Sequence, residues 1–265
     1  MCKGSSTWSI ILIHRVAASR SKAVREVAAK STQGSAEVSG EIWRAVESQH
    51  VISTMRLVDD DLADQTILER IVDESKPPVP ANAQHLHWLL ATPFRYAVRM
   101  GGSRFRARGQ PGVLYGATVA RTACAEAGFW KWRFVQDSAG LTKLDAHPMT
   151  LFPAKVRGRA WNLTELPFSK QRKQWTQPND YAPTQALAAR ARSDRIALIV
   201  YESVRDPDKG DCTAVLDPKA LVNNDPLIRS ESWYLTVLPR GVIWRRDRSR
   251  AFQFDFRRFA QAPTA

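Results

Sequence analysis

The chain has 265 residues, 44% of them hydrophobic, and 39 Lys and Arg against 26 Asp and Glu, for a net charge of +13. Its apolar runs fall short of the roughly 20 residues that span a bilayer, and the longest near the N-terminus, Trp8 to Ile13, is shorter than a secretory leader's core of roughly 7–15 residues. These features, with three widely spaced cysteines (Cys2, Cys124, Cys212) and no C-x-x-C, predict a cytoplasmic protein in a reducing compartment, and the positive surface favours an acidic partner or polyanion.

Residues 1–40 are rich in Ser, Ala and Lys/Arg and read as a flexible or poorly defined extension, with a short helix over Ser21 to Ala29 and a soft boundary at Ser31 to Gly40. Residues 41–84 read as a helical subdomain. Ile42, Val46 and Gln49 lie along one face of a first helix, and Leu62, Ile67, Leu68, Ile71 and Val72 mark a second. Asp59 to Asp61 are read as capping acids at the positive helix end rather than as a metal site, and the Pro-rich Lys76 to Pro80 stops the helix.

The main domain spans 85–258, with a tail at 259–265. His85 and His87 lack a third ligand, a weak metal signal that favours ordinary structural histidines. Leu89, Leu90 and Phe94 read as core, and Pro93 argues against a regular helix, leaving Arg95 at a strand start. Arg104, Arg106 and Arg108 precede a turn at Gly109 to Gly112, an apolar run at Val113 to Tyr115, and a helix from Thr118 whose apolar face is Val119, Ala123, Ala127 and Trp130. Glu126 lies on or beside that face.

Further strands are predicted at Thr150 to Val156 and over ALIVYESV, the latter buried by its continuous apolar run and ending at Ser203. Between them lie a loop at Trp161 to Thr164, a long polar connection over 165–185 of the kind that lines sites, and a helix at Thr184 to Arg192. A turn at Asp206 to Gly210 leads to a return strand at Thr213 to Leu216. Trp233 to Val237, Gly241 to Trp244 and Ala251 to Phe256 complete an α+β class. Neither G-x-G-x-x-G nor G-x-x-x-x-G-K-[ST] occurs, so a Rossmann or P-loop nucleotide site is not supported.

Two separated motifs stand out. The first runs Gly102-Ser103-Arg104-Phe105, Arg108-Gly109-Gln110-Pro111, Tyr115, then Ala123-x-x-Glu126. The second is Tyr201-x-Ser203-Val204-Arg205, followed by a Gly-containing turn and a strand ending in Asp217-Pro218. In this order they resemble the RES-domain family, named for an Arg, a Glu and a Ser, over about residues 41–258. Surface glutamates are the norm, and the motif is what singles out Glu126.

The resemblance implies an ADP-ribosyltransferase-like split-sheet core and an NAD-degrading toxin of a bacterial toxin–antitoxin pair. It would cleave the nicotinamide–ribose bond by hydrolysis or phosphorolysis, with NAD as substrate rather than resident cofactor and no metal. It assigns Glu126 to the ribose, Arg104 to the pyrophosphate, Tyr115 to the nicotinamide wall and Ser203 to a hydrogen bond on the nicotinamide. Arg95 and Tyr96 are further substrate-binding candidates. The implied partner is an antitoxin with a helix-turn-helix DNA-binding domain, in a complex where the toxin could be a homodimer. Two alternatives compete: a transferase that ADP-ribosylates a protein target, and a basic nucleic-acid-binding module built on the C-terminal arginines and nine Trp, although no known reader motif is present.

Overall fold

The computed structural model describes residues 34–48, 61–96, 102–222 and 225–260. The helix predicted at Ser21 to Ala29, and Gln49, lie outside them.

The chain organises itself around one strand, β3 (Leu144–Asn162). One edge of β3 pairs antiparallel with β1 (Ser35–Glu47) from Ser35↔Trp161 to Glu47↔Met149. Its other edge is shared: Leu144 to Leu151 pair with β6 (Glu231–Leu238), while Ala160 to Asn162 pair in parallel with β4 (Leu198–Glu202). Between these two footprints the sheet divides. On one side, β4 continues through β5 (Asp211–Val215) to β2 (Leu114–Ala117), which returns to β1 through the single pair Trp43↔Ala117. On the other, β6 continues to β7 (Gly241–Arg245) and β8 (Ala251–Asp255) as an open wing. The eight strands so joined form an α+β fold with a split sheet.

Residues 41–47 correct the first predicted helix: they are strand, inside a sheet rather than in a helical subdomain. Val38, Ile42 and Val46 recur every four residues, a spacing that places side chains on one face of a helix but equally on one face of a strand. Here Ile42 is buried, with Val38 and Val46 packed around it, beneath Leu89, Leu90 and Phe94. The second predicted helix is present as α1 (Leu62–Glu74). Asp61 caps it, its Oδ1 accepting from the amides of Ala63 (2.7 Å) and Asp64 (3.1 Å), as its position before the apolar pattern requires.

Pro93 does not prevent a helix: α2 (Trp88–Arg95) contains it and ends two residues later. The helix is short enough to lose the one amide, and His87 caps it by accepting from Leu89 N (3.3 Å). The loop predicted at Trp161 is likewise strand, because β3 runs on to Asn162 once β1 pairs alongside it.

Helix α3 (Ala120–Asp137) lies against β1, β2, β5 and all three strands of the wing. Its buried residues are Thr122, Ala123, Cys124, Ala125, Gly128, Phe129, Trp132 and Val135; of the predicted face Ala123 is buried and Ala127 packs on the core, whereas Val119 and Trp130 are 41% and 54% exposed. The close approach at Gly128 sets the rotation. A Cβ there would stand 2.8 Å from Val242 Cγ2 and 2.9 Å from Trp244 Nε1, so only glycine lets the helix sit this close to β7. Behind it Phe129, Trp132, Trp233, Trp244, Phe254 and Phe256 form an aromatic core. Two short helices complete the chain, α4 (Arg172–Trp175) and α5 (Ala182–Ser193). α5 buries Leu187, Ala188 and Ala191 against Trp161, Tyr201 and Phe105.

Candidate active site

The β4–β5 hairpin and the two turns of α3 above it bring together residues far apart in sequence. β4 is a continuous apolar strand that ends at Glu202, and Ser203 follows directly, 1% exposed. Its Oγ donates to Glu126 Oε1 at 2.5 Å and accepts from the amides of Asp206 (2.9 Å) and Arg205 (3.2 Å). A hydroxyl has one hydrogen and two acceptor sites, so all three are engaged within the protein. Ser203 therefore orients Glu126 and nucleates its own turn, rather than offering a free donor to a ligand.

The turn is anchored on its far side by Asp206, 1% exposed, which accepts from Thr122 Oγ1 at 2.7 Å and from Arg121. Both donors lie on α3, one turn before Glu126. The acid is thus fixed relative to the hairpin twice, through Ser203 and through Asp206.

Tyr201 lies two residues before Ser203, in the last step of the alternation that ends β4. Burial pushes the phenol of Tyr201 well above its usual value, and the neighbouring Cys212 and the charge of Glu126 push it the same way. Cys212, opposite Tyr201 on β5, is likewise raised by burial and then by Glu126. Glu126 thus acts electrostatically on both members of the Tyr201–Cys212 pair.

Tyr115, on β2, reaches across to the loop before it. Its hydroxyl lies 2.8 Å from Ser103 Oγ and accepts from Phe105 N at 3.0 Å, closing the tight Ser103–Arg106 bridge. Burial raises this phenol too, while the hydrogen bonds and the nearby Arg104 and Arg192 pull it down. The bridge puts Arg104 at its corner. Nη1 of Arg104 donates to the carbonyls of Trp175 and Gln177, each at 3.0 Å, and the guanidinium sits 4.9 Å from the centre of the Tyr181 ring. Both hydrogen bonds leave from Nη1, so Nε and Nη2 face no described acceptor.

Four predicted site residues, Arg104, Tyr115, Glu126 and Ser203, are thereby gathered around β4, β5 and α3. Arg95 goes elsewhere: it ends α2, and its Nε donates to the carbonyl of Pro77. Tyr96, 41% exposed, follows it, and its carbonyl accepts from Arg106 Nη2 at 2.5 Å. The structure thus ties Arg106 to the chain after α2 and leaves Arg108 exposed.

The sequence shows Tyr201 and Arg205 as motif positions and Asp206 as a turn residue, and gives none of the three a role in the site. The period of two along β4 points to Tyr201 once Ser203 is suspected. Asp206 reads as an ordinary turn acid, and the burial of Arg205 has no local signature. A separate groove of about 350 Å³ between β1 and the exposed side of α3, lined by Trp130, Phe134 and Met149, holds none of these residues. Among the described residues, no helix is long and apolar enough to cross a membrane, and no three His, Cys, Asp or Glu are grouped as metal ligands.

An α+β fold with a split sheet, carrying a serine-held glutamate beside an arginine and two tyrosines, narrows the class, and the family comparison agrees. The model of the RES domain matches residues 79–237, more than half of the chain. The chain belongs to the RES-domain family. Among solved structures it is similar to a chain of the M. tuberculosis MbcT–MbcA toxin–antitoxin complex, at 11% identity and a TM-score of 0.42, over 74% of this chain and 89% of that one. The comparison with curated proteins found no match.

Proposed function

We propose that the protein is the toxin of a toxin–antitoxin pair and acts by cleaving the nicotinamide–ribose bond of NAD, with water or phosphate as acceptor. The observation that carries the reading is the Ser203–Glu126 pair at 2.5 Å, set in the family's motif order beside Arg104, Tyr115 and Tyr201.

The chemistry asks little proton transfer of the protein. When the C–N bond breaks, its electron pair goes to the nicotinamide nitrogen and cancels that ring's positive charge, so the leaving group departs neutral without an acid. Positive charge develops on the ribosyl carbon, as in an oxocarbenium-like glycosidic transition state. A fixed carboxylate at that carbon stabilises the transition state more than the ground state. Glu126 is the residue for this role, and Ser203 keeps its oxygen aimed without reorganisation during reaction. Arg104, with Nε and Nη2 still available, would take pyrophosphate oxygens in a planar fork. Tyr115 would supply the ring beside the nicotinamide, with the buried Tyr201 packed behind it as a neutral phenol.

The partner on this reading is an antitoxin whose acidic surface complements the +13 chain. The C-terminal arginines favour this reading over nucleic-acid binding. Arg246 and Arg250 both face Glu231 (2.7 and 3.3 Å), and Arg257 faces Asp255 (2.5 Å), which leaves less unpaired charge for phosphates. Incubating the purified chain with NAD and measuring free nicotinamide tests the reaction. Adding phosphate separates the acceptors, since phosphorolysis gives an ADP-ribose phosphate and hydrolysis gives ADP-ribose. No nicotinamide release from a folded chain refutes the proposal.

A further inference from the structure

Arg205 is 3% exposed, and it forms no ion pair with a carboxylate among the described residues. Its guanidinium lies 3.8 Å from the centre of the Phe129 ring and 4.6 Å from that of Phe259. Nη2 donates to the carbonyl of Pro178 (2.6 Å) and to Tyr181 Oη (3.5 Å), and Nη1 is buried with no hydrogen-bond partner among the described residues. Burial lowers its pKa, partly opposed by Tyr181 and by the charge of Glu126. A buried cation without a dedicated carboxylate is costly, and an apolar side chain stacked on the same two rings would serve the core better.

The contacts of Arg205 show what the cation does instead. Its backbone amide donates to Ser203 Oγ, the atom that holds Glu126. Its side chain stacks on Phe129, one turn after Glu126 on α3. Its Nη2 grips the 178–181 segment, directly after the carbonyls of Trp175 and Gln177 that Arg104 holds. Arg205 therefore touches three parts of the site: the serine turn, the helix of the acid, and the loop that Arg104 holds.

We propose that Arg205 is a positioning residue, which fixes the separation between Glu126 and the Arg104–Tyr181 wall so that a ligand held by the arginine presents its reacting carbon to the acid. This rests on the NAD-cleaving reading for its kinetic consequence, but its structural half stands alone. A displacement of about 1 Å between the group that holds a substrate and the group that reacts costs on the order of 10²-fold in rate. Substrate binding through Arg104 should change much less.

The test is Arg205→Met, which keeps an unbranched apolar stem beside the two rings while removing charge and donors, with Arg205→Lys as the companion that keeps charge alone. The readouts are thermal unfolding, amide hydrogen exchange, and nicotinamide release with kcat and KM resolved. Arg205→Met is expected to melt at or above the wild-type temperature, to exchange faster at amides of 176–181, and to lose on the order of 10²-fold in kcat with KM changed only a few-fold. Arg205→Lys should fall between. If Arg205→Met misfolds, Arg205→Lys decides by the same readouts. Unchanged exchange in 176–181, or kcat within twofold of wild type, overturns the proposal. If wild type itself releases no nicotinamide, the NAD reading fails, while the exchange result still decides whether Arg205 positions the loop.

Discussion

Glu126 and Ser203 form one contact, but substitution of the acid should fall mainly on turnover and substitution of the serine mainly on stability. In Glu126→Gln the side-chain oxygen remains, so the Ser203 hydroxyl still donates to it, now to a neutral acceptor. A hydrogen bond to a charged group exceeds a neutral one by about 1 kcal/mol, which in a chain of this size moves the melting temperature by roughly 2–4 °C. The charge facing a cationic ribosyl centre is gone, however, and loss of one preorganised electrostatic group typically costs on the order of 10²–10³ in kcat. Ser203→Ala removes the same bond from the other side and also strands the buried amides of Arg205 and Asp206, which have Oγ as acceptor. At about 1–3 kcal/mol per unsatisfied buried group, the variant should lose about 3 kcal/mol, roughly 6–12 °C in melting temperature, as well as activity. The assay pairs differential scanning calorimetry with nicotinamide release. Wild-type turnover in Glu126→Gln refutes the role of the acid, and an unchanged melting temperature in Ser203→Ala refutes the role of the hydroxyl as the nucleus of the turn.

Arg104→Lys keeps charge but loses the planar fork, so KM for NAD should rise by about tenfold or more, the scale of one charge-assisted hydrogen bond; unchanged KM moves phosphate binding elsewhere. Gly128→Ala forces a methyl against Val242 and Trp244 and should cost about 1–3 kcal/mol of stability, read by urea denaturation. Tyr115 and Tyr201 hold their protons above the usual phenol value, whereas unfolded tyrosines ionise near pH 10. The unfolded chain then binds fewer protons than the folded one, so stability should fall as pH rises through about 10, and Tyr201→Phe should flatten that fall in a melting series from pH 8 to 11.

Where the sequence carries a single strong period it is a sound guide: the apolar run before Ser203 becomes β4, and the C-terminal alternations become β6, β7 and β8. Where one spacing serves two periods it misleads, as at Val38, Ile42 and Val46, because the choice between strand and helix is made by the distant partner β3. α3 shows a third case. Alanines and aromatics occupy much of its circumference, and the face that is buried is settled by Gly128 against β7, which no local pattern announces. The site divides likewise. Arg104, Tyr115, Glu126 and Ser203 are visible through motif order. The hold on 175–181 is invisible because it consists of arginine donors on backbone carbonyls, and any residue type supplies a carbonyl.

The long strand β3 also has a consequence for the order in which the parts of the candidate site come together. Its partner β1 precedes it by a long stretch of chain, and the ladder between them can begin only when Met149 meets Glu47 and is complete only when Trp161 meets Ser35. The acid on α3 waits longer, since the serine that holds it lies 77 residues further on, and the wing that seats the helix is made last. Such non-local pairings are slow to form and leave apolar edges uncovered meanwhile. A ribosome-bound chain cut short before β4 has the glutamate but nothing to aim it. The acid and the groups that aim it thus come together only after β4 has joined β3.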